Sequence, residues 1–248
     1  MLCEVFATPE AAFERVLAAN PRVLAVGETH AQKDAPGATS ATKRFTTQFL
    51  PRVGGRATDL VLELWVANGA CGKTEQKVQA QQKDVTATQA ATNQNEFVLL
   101  GDAAKALGLK PHVLVPPCDE YARILDAGAG DLDAMLGMIA RLTARRVTDL
   151  VGRTDGMVLA YGGAMHNDAV PRPGHEAWSF GPALVEKTKG RYVELDLIVP
   201  ELVKATDAWR AQPWYSHYDK DAHDQETLLF TTGTKSFALV FPKSRATK

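Results

Sequence analysis

Several things are scarce in this sequence, and each scarcity removes a class of protein. There are three cysteines in 248 residues, none spaced as Cys-x-x-Cys. A cysteine-built zinc site is therefore excluded. Neither charge is in surplus: 28 basic and 29 acidic residues leave a formal net charge of −1. The electrostatic footprint of a nucleic-acid binder is absent. No apolar run approaches the ~18 residues that span a bilayer. The N-terminus has neither a basic region nor an apolar stretch of the kind that marks a secretory signal.

What is present is an ordinary globular composition, 45% hydrophobic and 23% charged. A chain of this length can bury a core without disulfides or metals to hold it. Cys71 and Cys118 fall in expected loops. They would pair in an exported protein and stay reduced in a cytosolic one. Cys3, directly after Met1-Leu2, would fit the trimmed start of a lipoprotein.

Apolar runs and helical patterns alternate along the chain. Strands are expected at 22–27, 59–65, 111–115, 157–161 and 192–199, with a terminal hairpin at 228–232 and 236–241. Thr8-Pro9-Glu10 opens a helix. Ser40 opens another. The polar stretch 74–94, with six glutamines and no proline, reads as one or two exposed helices. Residues 96–107, 131–151 and 182–190 complete the helical set, with a short helix through Trp209. In 192–199, Glu194 and Asp196 alternate with Val193, Leu195 and Leu197, so one face of that strand is expected to be solvated. This order implies a single α/β domain over 1–248. Its mainly parallel central sheet would be flanked by helices on both faces, with a C-terminal antiparallel hairpin.

In such sheets, ligands bind beyond the carboxyl ends of the strands. Two Gly-x-x-His motifs lie there: Gly27-Glu28-Thr29-His30 after the first strand and Gly163-Ala164-Met165-His166 after the fourth. Glu63 ends the second strand inside Leu-Val-Leu-Glu-Leu-Trp, where a carboxylate is costly without a partner. Arg44 or Arg123 could supply that partner. Cys118, Asp119, Asn167 and Asp168 reach the same rim, whereas His112 begins a strand and reads as structural.

Two histidines and two carboxylates suit three tasks. They could hold a divalent metal, run metal-free acid–base hydrolysis, or flank a haem. Residues 67–74, Ala-Asn-Gly-Ala-Cys-Gly-Lys-Thr, fit a relaxed phosphate-binding loop and give a further alternative, nucleotide binding. The acidic stretch 217–224 lacks the glycine and terminal glutamate of a calcium loop and reads as solvated.

The motifs at 23–30, 60–65 and 162–166 together resemble the ChaN/Tiki/TraB-type superfamily, to which erythromycin esterases are related. The resemblance covers residues 22–166; no motif covers the C-terminal third. Its members include haem-binding lipoproteins of iron uptake, metal-dependent proteases and macrolide esterases, the last with a differently spaced motif. The resemblance implies His30 and His166 as cofactor or metal ligands with Glu63 as third ligand, and Glu28 and Glu63 as catalytic carboxylates. The leading expectation is a hydrolase of ester or amide bonds in a small molecule or peptide, dependent on Mn, Zn or Co. Haem capture without catalysis is the alternative. The resemblance also implies a bacterial cell-envelope location.

Overall fold

A computed structural model describes residues 1–128 and 131–244. The strands are β1 (Leu2–Phe6), β2 (Val23–Glu28), β3 (Ala57–Trp65), β4 (Lys110–Leu114), β5 (Met157–Gly163), β6 (Tyr192–Ile198), β7 (Thr227–Thr231) and β8 (Ser236–Val240). They form one sheet in the order β1-β7-β8-β6-β2-β5-β3-β4. Only β7 is reversed: it pairs antiparallel with both β1 and β8, and the other pairings are parallel. The expected α/β architecture with its C-terminal hairpin is thus present.

The helices are α1 (Pro9–Leu17), α2 (Ala41–Arg44), α3 (Leu50–Val53), α4 (Gly72–Val85), α5 (Asn93–Ala106), α6 (Cys118–Ala127), α7 (Leu132–Arg153), α8 (Gly181–Lys187) and α9 (Asp207–Arg210). Thr8 caps α1 by accepting from the Ala11 amide, with Pro9 in the first turn. Ser40 caps α2 through the Lys43 amide. A π-helical turn, Phe45–Phe49, joins α2 to α3 and stacks Phe49 on Phe13 of α1. Among the described residues, no helix is long and apolar enough to cross a membrane.

Period-two alternation divides the strand side chains between two cores. Leu24 and Val26 of β2 face α1, the π turn and α5, among Phe13, Phe49 and Leu100. Val23 and Ala25 face α6, α7 and α8, among Tyr121, Met138 and Leu184. A third cluster gathers around Trp214, Phe230 and Val240. The sheet is thereby covered on both faces, and its carboxyl edge is left for the site.

Three expectations need correction. First, β6 has no solvated face. It lies between β8 and β2, so Glu194 is 8% exposed and Asp196 half-buried. Second, β1 was not expected: five residues with exposed Leu2 and Val5 give no core pattern, and the strand exists through pairing with β7. Third, Cys118 opens helix α6 instead of lying in a loop. It is disulfide-bonded to Cys71, at the N-terminus of α4.

Candidate functional site

The rim residues are placed by strand register. Gly27 and Glu28 of β2 pair with Gly162 and Gly163 of β5, which sets the two Gly-x-x-His motifs side by side. Glu63 comes from β3, on the other side of β5. The Gly162 position must lack a side chain: a Cβ there would meet the Glu63 side chain, whose own Cβ lies 2.7 Å away.

His30 Nδ1 donates to Glu28 Oε1 at 2.8 Å. Glu28 is 3% exposed, and its Oε2 accepts from Thr42 Oγ1 at 2.7 Å and Tyr161 Oη at 2.9 Å. His166 Nδ1 donates to the carbonyl of Trp178 at 2.7 Å. With both Nδ1 atoms engaged, both Nε2 atoms face Glu63 Oε1, at 4.0 Å from His30 and 3.5 Å from His166. The other oxygen of Glu63 accepts from the Gly163 amide.

These contacts shift the protonation of the group. Burial disfavours charge on His30, but the Glu28 bond and the charges of Glu28 and Glu63 outweigh it and raise the imidazole to about 9. Burial likewise opposes ionisation of Glu63, yet His166, His30 and the Gly163 amide hold it down at about 2. His166 is raised, with burial overcome by Glu63 and the Trp178 carbonyl.

The group opens on a cavity of about 490 Å³. One wall is apolar, with Trp65, Phe97, Met135, Leu136 and Ile139; another carries Asp168, Arg172 and Asp196. That acidic wall continues inward to Glu194. Among the described residues, Asp168, Glu194 and Asp196 are the group that brings three potential metal-ligand atoms within 4.8 Å of one another. Burial pushes Asp168 up to about 6, Glu194 to about 7, and Asp196 well above the carboxylate range.

Glu28, His30, Glu63 and His166 are therefore brought together. The arginines weighed as partners of Glu63 are engaged elsewhere, Arg44 with the Thr39 and Pro242 carbonyls and Arg123 with Asp119 and Glu120. Asp119 is exposed on α6 and does not line the cavity. His112 pairs with Asp59 at 2.7 Å, as a structural histidine would. In the loop at 67–74, the Gly69 and Cys71 amides already donate to the buried Glu75 carboxylate. A phosphate would have to displace that internal anion.

Thr42, Tyr161 and the Trp178 carbonyl were not anticipated. A tyrosine hydroxyl within a buried strand does call for a polar partner. A backbone carbonyl leaves no trace in residue identity.

No family model matches the chain, and no curated protein matches it. Three solved structures do. The type III effector HopBA1 is 10% identical, with 98% of this chain and 97% of that one covered and a TM-score of 0.48. ChaN of Campylobacter jejuni, described with cofacial haem binding, is 11% identical over 74% and 84% of the chains, with a TM-score of 0.40. A mutant of the erythromycin esterase EreC in its open conformation is 9% identical over 100% and 99%, with a TM-score of 0.49.

Proposed function

We propose that this protein hydrolyses an ester or amide bond of a small-molecule or peptide substrate in the rim cavity, with a divalent metal held by His30, His166 and Glu63. One observation carries the reading. Each histidine has its Nδ1 tied to an acceptor, Glu28 or the Trp178 carbonyl, and turns its Nε2 toward the same carboxylate oxygen. Metal-binding histidines are held in this way, the second nitrogen fixing tautomer and ring orientation.

The donor types, two imidazole nitrogens and a carboxylate, suit a zinc-like ion. Ligands bound at about 2.1 Å in a tetrahedron stand about 3.4 Å apart. Glu63 Oε1 stands 3.5 Å and 4.0 Å from the two Nε2 atoms, but the three ligand atoms do not all lie within 4.8 Å of one another, so the two histidines would have to close on the ion for it to be held. A divalent ion would lower the pKa of a bound water toward neutrality. The chain's own residues position and enclose. Both oxygens of Glu28 are engaged by His30, Thr42 and Tyr161, so Glu28 is a positioning residue and not a base. The apolar wall of Trp65, Phe97 and Met135 accepts the non-reacting part of a substrate and keeps bulk water from it. The Cys71–Cys118 bond supports an oxidising compartment such as the cell envelope.

Elemental analysis of protein prepared without a chelating tag tests the reading. About one equivalent of Mn, Zn or Co is expected, lost in His30→Ala and His166→Ala together with hydrolysis of a chromogenic ester. A Soret band on haem addition that weakens in the same variants, without bound metal, would replace it with haem capture.

A further inference from the structure

The sheet has an open border that the rim chemistry does not use. β4 is a terminal strand, paired on one side with β3. Its first half is guarded. Lys110 and Pro111 are residue types that discourage strand addition, and Pro111 has no amide to offer. The second half is not guarded. The Val66 amide donates to the Leu114 carbonyl at 2.9 Å, so that carbonyl points to the β3 side. A trans peptide unit then turns the Val115 amide outward. Strand alternation turns the Val113 carbonyl outward as well. Val115 itself is 49% exposed.

Beside this half lies a groove of about 470 Å³ between the end of β4 and α7. Val113, Val115 and Pro117 form one side, and Leu142, Arg145 and Arg146 the other. The groove is positive. Asp149 also lines it, but that carboxylate is already paired with Arg153 at 2.8 Å. Nearby, Arg123 and Arg141 are likewise paired, with Asp119 and Glu120. Among the described residues, Arg145 and Arg146 have no acidic partner, and both are exposed. They belong to a chain with a formal net charge of −1, so the excess of positive charge is local to this groove.

We propose that this border binds an extended acidic segment of a partner protein, which adds to the eight-stranded sheet as a further strand beyond β4. The backbone of the segment bonds to the Val113 carbonyl and the Val115 amide. Every second side chain of the added strand falls on the α7 face of the sheet, the face on which Leu114 and Leu142 share a core. Carboxylates at those positions meet Arg145 and Arg146, whose planar guanidinium groups pair with them through two bonds each. A second copy of this chain joined edge to edge fits less well. It would set the same unpaired arginines on both sides of the seam, on one face of the joined sheet. The surface does not depend on the chemistry of the rim.

The probe is a fluorescein-labelled heptapeptide of alternating Val and Glu, titrated with the full chain and followed by fluorescence anisotropy. Saturable binding with a Kd below about 1 mM is expected. A peptide with Lys in place of Glu should not bind. Two further peptides, methylated at the odd or at the even backbone amides, keep the charges and remove ladder donors from one edge each; one of the two should bind about tenfold more weakly or worse. Arg145→Ala/Arg146→Ala should weaken binding about tenfold without lowering the melting temperature. The Val115 amide resonance of isotope-labelled protein should shift on titration. The His30→Ala/His166→Ala variant should bind the probe unchanged, which separates this border from the rim cavity. The proposal is overturned if the probe does not bind, if both methylated peptides bind as tightly as the parent, if the arginine variant keeps full affinity, or if the histidine variant loses it. It is also overturned if the free chain sediments as a dimer with its Val115 amide protected from hydrogen exchange, since a second copy would then fill the border.

Discussion

Glu28 holds His30 through a 2.8 Å bond from Nδ1 to Oε1, and the same carboxylate takes the Thr42 and Tyr161 hydroxyls on its other oxygen. One buried side chain thus ties the rim to the core beneath it. Glu28→Ala should cost about 2–4 kcal/mol, since two buried hydroxyls lose their acceptor. It should also lower hydrolysis on the order of 10–100-fold through loss of ring orientation. Glu28→Gln keeps an acceptor oxygen and should recover most of the stability but less of the activity. Chemical denaturation and ester hydrolysis on the same preparations check both.

Adjacent glycines should respond differently to alanine. A Cβ at Gly162 would press on the Cβ of Glu63, which β3 holds in place. A Cβ at Gly163 would stand 3.4 Å from Glu63 Oε2 and 3.5 Å from His30 Nε2, at the edge of ordinary contact. Gly162→Ala should destabilise by about 1–3 kcal/mol and displace Glu63, with loss of bound metal. Gly163→Ala should stay folded and bind metal more weakly. Melting curves with metal content distinguish the two.

Reduction of Cys71–Cys118 opens a loop with a sequence separation of 47. Chain-entropy arguments give roughly 4 kcal/mol for a loop of that size. The Cys71→Ala/Cys118→Ala variant should therefore melt on the order of 10 °C lower. Thiol titration of the unfolded wild type should find one free group, Cys3, before reduction and three after it.

The acidic wall sets a pH dependence in the chelated protein. Glu194 is raised from 4.5 to about 7 and Asp168 from 3.8 to about 6, burial being the main cause in each. The native state then holds protons that the unfolded chain has released across roughly pH 4–7. Stability must fall as pH rises through that window. Melting temperatures in EDTA should decline from pH 5 to pH 7.5, and the decline should flatten in Glu194→Gln.

Much of this molecule was readable before its structure. Val23, Leu24, Ala25 and Val26 are buried on both faces because β2 is central, and a continuous apolar run is what a central parallel strand requires. Placing Glu28, His30, Glu63 and His166 on one rim needed only strand order and the rule that parallel strands point their ends the same way. The strand of Glu194 and Asp196 misled because alternation normally marks a solvated face. Here the acids are covered by β8 and by the turn after β5, which contact them from far along the chain. The Trp178 carbonyl and the Glu75 bonds to the amides at 69 and 71 are tertiary contacts that residue identity does not encode.

The reversed strand β7 has a consequence for biosynthesis. Leu2 pairs with Thr231, and β6 becomes an interior strand only when residues 236–240 arrive beside it. The strand made before all the others described is thus placed only once β7 has been made. The strand that carries Glu194 and Asp196 stays an open edge until residues 236–240 have been made. Such an edge pairs readily with foreign strands, so a nascent chain stalled before residue 236 exposes an aggregation-prone border that the completed protein conceals.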